Sequence, residues 1–250
     1  MNHQIEKPEC NQLNPIQQIG VWLLLTLACV SLPVASQSYT GKNVIDGVVY
    51  GENNSDMLKG SGVMGKDKRQ IDDFQSIKIE GSINVNYRRG QNTQCAVTGD
   101  NNLLPIIKTE VSHGVLVISA NKNYQAQLPL IVELIGPNLK ALIQDGASDV
   151  DLRELNEKSF KLNMSGSGTV NAQGKAGEFL AEISGSGDVK ARNLIADQAD
   201  LSITGSASIE VAAKNLLKAS ITGSGDITYF GNPKKVEPRI TGSGNIDAGD

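Results

Sequence analysis

One seven-residue segment, ISGSGDV at 183–189, returns along the C-terminal half of the chain. It recurs as ITGSGDI at 221–227 and ITGSGNI at 240–246, with weaker copies MSGSGTV at 164–170 and ITGSASI at 203–209. The leading glycines are Gly166, Gly185, Gly205, Gly223 and Gly242, spaced by 19, 20, 18 and 19 residues. Alignment on them stacks like with like. Met164, Ile183, Ile203, Ile221 and Ile240 form one column, and Val170, Val189, Ile209, Ile227 and Ile246 another. Two residues before the first column stand Leu162, Ala181, Leu201, Ala219 and Pro238, and two before those Phe160, Phe179, Ala199, Leu217 and Val236. A period of two within each repeat specifies strands. A second period of ~19 specifies that those strands stack coil on coil.

The expected fold is therefore all-β, a parallel β-helix (β-solenoid) over residues 71–250, right-handed by the usual crossover rule. No coil buries its own apolar face. Stacking buries aliphatic on aliphatic, worth roughly 1.5–3 kcal/mol per fully buried side chain. Asp145-Gly146-Ala147-Ser148-Asp149-Val150 reads as a degenerate earlier coil. Residues 71–140 alternate less regularly and form either wider coils or a small capping sheet. Leu152–Leu155 and Asn193–Ala196 give at most single helical turns.

A solenoid turns sharply in every coil, and glycine reaches φ > 0 at little cost. Gly166, Gly168, Gly185, Gly187, Gly205, Gly223, Gly225, Gly242 and Gly244 are expected at such turns. Serine completes the turn by bonding local backbone. Ser167, Ser186, Asp188, Ser206, Ser224, Asp226 and Ser243 then make a polar edge along the rod. Ala207 replaces the second glycine of the third motif, so that corner is expected to be tighter or shifted. Calcium-binding repeats need more carboxylates: an acid follows the second glycine only at Asp188 and Asp226, against Thr169, Ser208 and Asn245. No Gly-Lys-Ser/Thr completes a phosphate loop. No cofactor is implied.

The net charge of −4 opposes nucleic-acid binding. Residues 1–36 read as a signal peptide: a 12-residue apolar run from Ile19 to Val30 is too short to span a bilayer, and Pro33-Val34-Ala35-Ser36 offers a cleavage site after Ser36. An uncleaved anchor is the alternative, and Thr26-Leu27-Ala28-Cys29 is a poor lipidation site at Cys29. Cys10 falls in the same leader, which leaves Cys95, so an exported chain is stable without a disulfide. Residues 37–70, rich in Gly, Asn, Ser and Asp, read as a flexible linker.

Parallel β-helices also host polysaccharide lyases and hydrolases, which need carboxylates clustered in one cleft. Here the acids are scattered over turns, and Asp149, Asp188 and Asp226 align only as a candidate stripe. His113 lies in a Ser-His-Gly turn. Trp22 falls in the leader, so sugar stacking would rest on Tyr87, Tyr124 or Tyr229.

The repeated Ser-Gly-Ser-Gly motifs, with Phe74–Gly81, Val97–Leu104, Leu116-Val117-Ile118, Leu128-Pro129-Leu130 and Ile240–Ile246, resemble the putative auto-transporter adhesin, head GIN domain family of exported bacterial proteins over residues 71–248. The resemblance implies an extracytoplasmic β-helix acting in surface attachment and supplies no binding residues. An auto-transporter also carries a C-terminal membrane barrel of alternating strands. No such pattern follows Ile246, so this sequence is not expected to carry its own translocator. The function expected is an exported, non-enzymatic, adhesin-like module of the cell envelope or surface, with a glycan or protein ligand. The alternatives are a periplasmic structural or interaction protein that self-associates through its open C-terminal coil (Asp247, Asp250), and a polysaccharide-active enzyme.

Overall fold

The structure is a computed structural model. It describes residues 57–250 and, before them, two strands, β1 (Asn43–Ile45) and β2 (Val48–Tyr50). The chain divides into two units after Asn53. In the first, β1 and β2 pair antiparallel. The expected signal peptide and Cys29 lie outside the described residues.

The second unit begins with β3 (Leu58–Lys59), β4 (Met64–Arg69), β5 (Ser76–Gly81), β6 (Asn84–Arg89) and β7 (Gln94–Asp100). A 3-10 turn at Leu104–Ile106 is the sole helical element among the described residues. Then follow β8 (Ile107–Ser112), β9 (Val115–Ala120), β10 (Tyr124–Gln125), β11 (Ile131–Gly136) and β12 (Ala141–Gly146). The regular part consists of β13 (Asp149–Gly166), β14 (Thr169–Gly185), β15 (Asp188–Gly205) and β16 (Ser208–Gly223), each bent around one coil, and of β17 (Asp226–Phe230), β18 (Lys235–Gly242) and β19 (Asn245–Ala248).

The fold is a β-solenoid whose columns are those of the sequence alignment. Met164 pairs with Ile183, Ile183 with Ile203, Ile203 with Ile221 and Ile221 with Ile240, all parallel. The phase of burial sets the cross-section. In β15 the buried residues are Val189 and Ala191, then Leu194 and Ala196, then Ala199, Leu201 and Ile203. Alternation slips at Arg192–Asn193 and again at Asp197–Gln198, both exposed, which divides the coil into three faces. The helical turns expected at Leu152–Leu155 and Asn193–Ala196 are instead bends within strands, the first marked by Glu154 at φ +60°. Inside, Phe160 and Phe179 stack at 5.9 Å between centroids, with planes 11° apart. The next column, Leu162, Ala181, Leu201 and Ala219, alternates large and small, so that neighbouring coils interlock.

Residues 71–140 both continue the solenoid and cap it. On one side the order is β13, β12, β5, β9, closed by antiparallel β8. On the other it is β13, β6, β11, closed by antiparallel β7 and β4. β5 and β6 flank Gly81 and make the two sides of one coil, in register with Gly146 of the next.

The linker expectation fails within residues 57–70. β4 pairs antiparallel with β7 from Met64↔Asp100 to Arg69↔Cys95. Its side chains are largely exposed because it is a charged edge strand, a common way to block further pairing. Residues 59–62 are held by the Gly99–Asn102 loop. Asp100 is fully buried, and its carboxylate accepts from the N–H groups of Gly62 (2.6 Å), Gln127 (2.9 Å) and Leu128 (3.0 Å). Burial alone would push the Asp100 carboxyl up. The N–H bonds, from Leu128, Gly62 and Gln127, outweigh it and hold the group below its ordinary value. Asn102 donates from its amide nitrogen to the Lys59 carbonyl and accepts from the Ser61 N–H. Composition hid this ordering, because polar loop residues here fasten a strand to its neighbours.

Candidate functional site

The Gly-Ser-Gly corners stack into one column. Gly81, Gly146, Gly166, Gly185, Gly205, Gly223 and Gly242 follow one another in register, all at positive φ. A Cβ on Gly205 would stand 2.4 Å from the Gly185 carbonyl oxygen, and every glycine above Gly81 meets the one below it in the same way. The corner bond is made by the serine backbone. The N–H groups of Ser167, Ser186, Ser206, Ser224 and Ser243 donate to Gly146, Gly166, Gly185, Gly205 and Gly223. Their side chains are exposed on the corner. The sequence assigned that bond to the hydroxyl; the ladder of main-chain bonds simply continues around the bend.

The second glycine of each motif works differently from expectation. Gly168 has φ +140°, but Gly187, Gly225 and Gly244 are not among the positive-φ residues. Gly187 and Gly225 face inward and are buried, and a Cβ on Gly187 would stand 2.0 Å from Met164 Cε. A Cβ on Gly225 or Gly244 would first meet the carbonyl oxygen of Ala207 or Gly225 below it, at 2.6 and 2.2 Å, and then Ile203 or Ile221. The slot demands small size, so Ala207, 1% exposed, fits it. The Ala207 corner is neither tighter nor shifted: Gly205 has φ +128° beside 127° at Gly185 and Gly223. The equivalent Ser148 is fully buried, donating to the Gly81 carbonyl and accepting from Ile83 N–H.

Asp149, Asp188 and Asp226 stand in one column with Thr169, Ser208 and Asn245. Each carboxylate reaches the next coil. Asp149 accepts from Thr169 N–H, Asp188 from the Ser208 hydroxyl, and Asp226 from Asn245. These bonds fasten coil to coil along the edge. No group of three or more His, Cys, Asp or Glu suited to a metal occurs among the described residues. His113 sits at φ +51° in the β8–β9 turn, and Cys95 is buried, which pushes its thiol pKa up.

A further cavity lies elsewhere, at the N-terminal end of the solenoid. It is an open groove of about 1130 Å³. Its floor is two rows of outward side chains crossing four strands. One row is Ala96, Glu133, Asn86 and Asp151; the other is Gln94, Ile135, Arg88 and Arg153. Lys66 and Lys68 of β4 rise at one side. Lys66 pairs with Glu133 at 2.6 Å, and Arg153 with Asp151 at 2.6 Å. The other Asp151 oxygen, Oδ1, is buried without a hydrogen-bond partner. Among the described residues, Lys68 and Arg88 have no carboxylate within ion-pair distance. Tyr87 lies beneath the floor, 1% exposed, and donates to the Gly136 carbonyl, so its ring is not offered to a ligand.

Sequence reading missed this groove because strands that are neighbours in space are not consecutive in the chain: β7, β11, β6 and β13 lie side by side in that order. The available signal was alternation. In Val85-Asn86-Tyr87-Arg88 and Val150-Asp151-Leu152-Arg153 the polar residues necessarily share the outward phase.

The architecture is that of a β-helical rod with a polar groove at one end and a fastened glycine edge. The family model for the putative auto-transporter adhesin, head GIN domain, matches residues 73–233, and the chain belongs to that family. The match stops before the last motif, 240–246, which continues the same columns. A crystal structure of a putative adhesin from Bacteroides fragilis is similar, with TM-score 0.64 and 21% identity, covering 76% of this chain and 99% of that one. Another, a putative adhesin from Parabacteroides merdae, has TM-score 0.51 and 24% identity, covering 78% of this chain and all of that one. These likenesses concern the fold. No curated protein matches the chain significantly.

Proposed function

We propose that the chain is an exported, non-enzymatic binding module of adhesin type at the cell envelope or surface, and that the groove at the end of the rod holds its ligand. The observation that carries this reading is the floor itself: a sheet presents two rows of side chains, polar or charged except for Ala96 and Ile135, and among the described residues Arg88 and Lys68 have no carboxylate partner. Membership of a family described as adhesins supports it. The three edge carboxylates are engaged in coil-to-coil bonds, which favours binding over carboxylate catalysis there. Among the described residues no helix is long and apolar enough to cross a membrane. The test is protease shaving of intact cells. Cleavage of the chain before the envelope is opened is the expected result; protection equal to that of a periplasmic control overturns surface attachment.

One observation favours a second reading, a periplasmic interaction protein that self-associates at its last coil. Ile240 continues a buried column yet is 45% exposed. Backbone pairing at that end is hindered. The Lys161 N–H donates back to Lys140, and the register carries this phase to Glu237. Pro238 therefore lies on the free edge, where it has no N–H to offer a partner strand. Contact there would rest on side chains. A concentration-dependent dimer abolished by Ile240→Glu would support this reading; a monomer at all concentrations would remove it.

A further inference from the structure

We infer that the groove takes an acidic polysaccharide, with the carboxylate of a uronate-type sugar between Arg88 and Arg153. This deepens the binding-module reading and rests on it. Arg88 and Arg153 are directly opposite one another on adjacent parallel strands, and both line the groove. Like charges in that relationship oppose sheet pairing. Arg153 is compensated by Asp151, whereas Arg88 has no carboxylate partner among the described residues. A local rule broken on an exposed, rigid floor marks a place where an anion completes the arrangement. Guanidinium groups match carboxylates geometrically, through paired N–H donors.

The rest of the floor selects among anions. Asn86 and Gln94 supply amide donors and acceptors, and Glu133 and Asp151 supply acceptors beside the cations. A ligand with carboxylates and many hydroxyl donors uses both. A polyphosphate does not, since it brings no hydrogen-bond donors for Glu133 and Asp151. Tyr87, the aromatic residue at the groove, is buried, so stacking on a base or a neutral sugar face is not provided. The groove runs across four strands, about 14 Å at ~4.8 Å per strand, which accommodates a few linked sugar rings.

The experiment is titration of the full chain with polygalacturonate, alongside neutral dextran, dextran sulfate and polyglutamate. The expected result is binding to polygalacturonate that weakens with added salt, with no binding to dextran. Arg88→Glu should lower the affinity at least tenfold, and Lys175→Glu, an exposed charge reversal outside the groove, should leave it unchanged. Lys68→Glu gives the same test should Arg88→Glu fail to fold. Absence of binding, equal binding of dextran, insensitivity to both groove variants, or equal loss with Lys175→Glu would overturn the proposal. Preference for dextran sulfate would overturn the carboxylate, and equal binding of polyglutamate would overturn the sugar. Surface exposure together with absent polygalacturonate binding would remove the ligand class alone. Protection of the chain on intact cells would remove the adhesin role while leaving the groove's preference intact.

Discussion

Gly205 sits directly above Gly185, at φ +128° on +127°, so close that a Cβ on the upper residue would lie 2.4 Å from the carbonyl oxygen of the lower. Two separate demands, a backbone conformation and a contact distance, thus fall on one residue. The column repeats the pair up to Gly242 and ends at Gly81, where a Cβ would meet nothing within 4 Å.

That difference predicts unequal costs for the same substitution. Gly81→Ala incurs only the strained backbone, about 1–3 kcal/mol. Gly205→Ala incurs the strain and the clash together, and the larger loss is expected. Urea unfolding of the two variants, followed by circular dichroism, checks the order. Equal losses would mean that the contact with the coil below is relieved by small shifts.

The inward slot predicts the opposite preference. Ala207 and Gly187 occupy the same position in successive coils, but only Gly187 faces a methionine, Met164 Cε, at 2.0 Å from a would-be Cβ. Ala207→Gly should change stability by about 1 kcal/mol or less, whereas Gly187→Leu should overpack the interior by about 1–3 kcal/mol. Thermal melts of both variants provide the measurement.

Asp100 predicts an acid limb in stability. Its folded pKa lies below the ordinary value, so its contribution is fully present above the unfolded pKa near ~3.9 and is lost as pH falls through the folded pKa. Asp100→Asn removes this dependence and turns one acceptor oxygen into an N–H₂ donor facing N–H groups. The variant should be less stable at pH 7, with a smaller gap from the parent at pH 3. A gap independent of pH would show that the carboxylate charge contributes nothing there.

Removing the Phe179 ring from its stack on Phe160 should cost about 3–5 kcal/mol. Phe179→Ala is therefore expected to lower the midpoint of unfolding markedly or to prevent folding. Phe179→Leu, which keeps most of the volume, should recover much of the loss. Denaturant titration of the pair separates ring stacking from simple filling.

The columns from Phe160 to Ile246 were legible in the sequence because in a solenoid the next neighbour in space is one repeat away in the chain. The corner glycines were legible for the same reason, although Gly81 and the inward role of Gly187 and Gly225 were not: size and conformation leave the same letter in the sequence. The groove was hidden by interleaving. Asn86 and Asp151 become neighbours only after β6 inserts between β11 and β13, and no spacing in the chain reports that insertion. Residues 57–70 were misread because a charged edge strand and a flexible tether share a composition, and only the bonds made by Asp100 and Asn102 tell them apart.

Coils of different length stay in register at the glycine corner and lose register elsewhere, between Leu152 and Leu155, Asn171 and Gly174, and Ala191 and Ile195. The corner therefore acts as the binding of the stack, and the opposite bends act as its expansion joints. Residues can be gained or lost at those bends while the spacing of side chains beside the glycines is conserved, so the two sides of this rod are free to diverge at different rates.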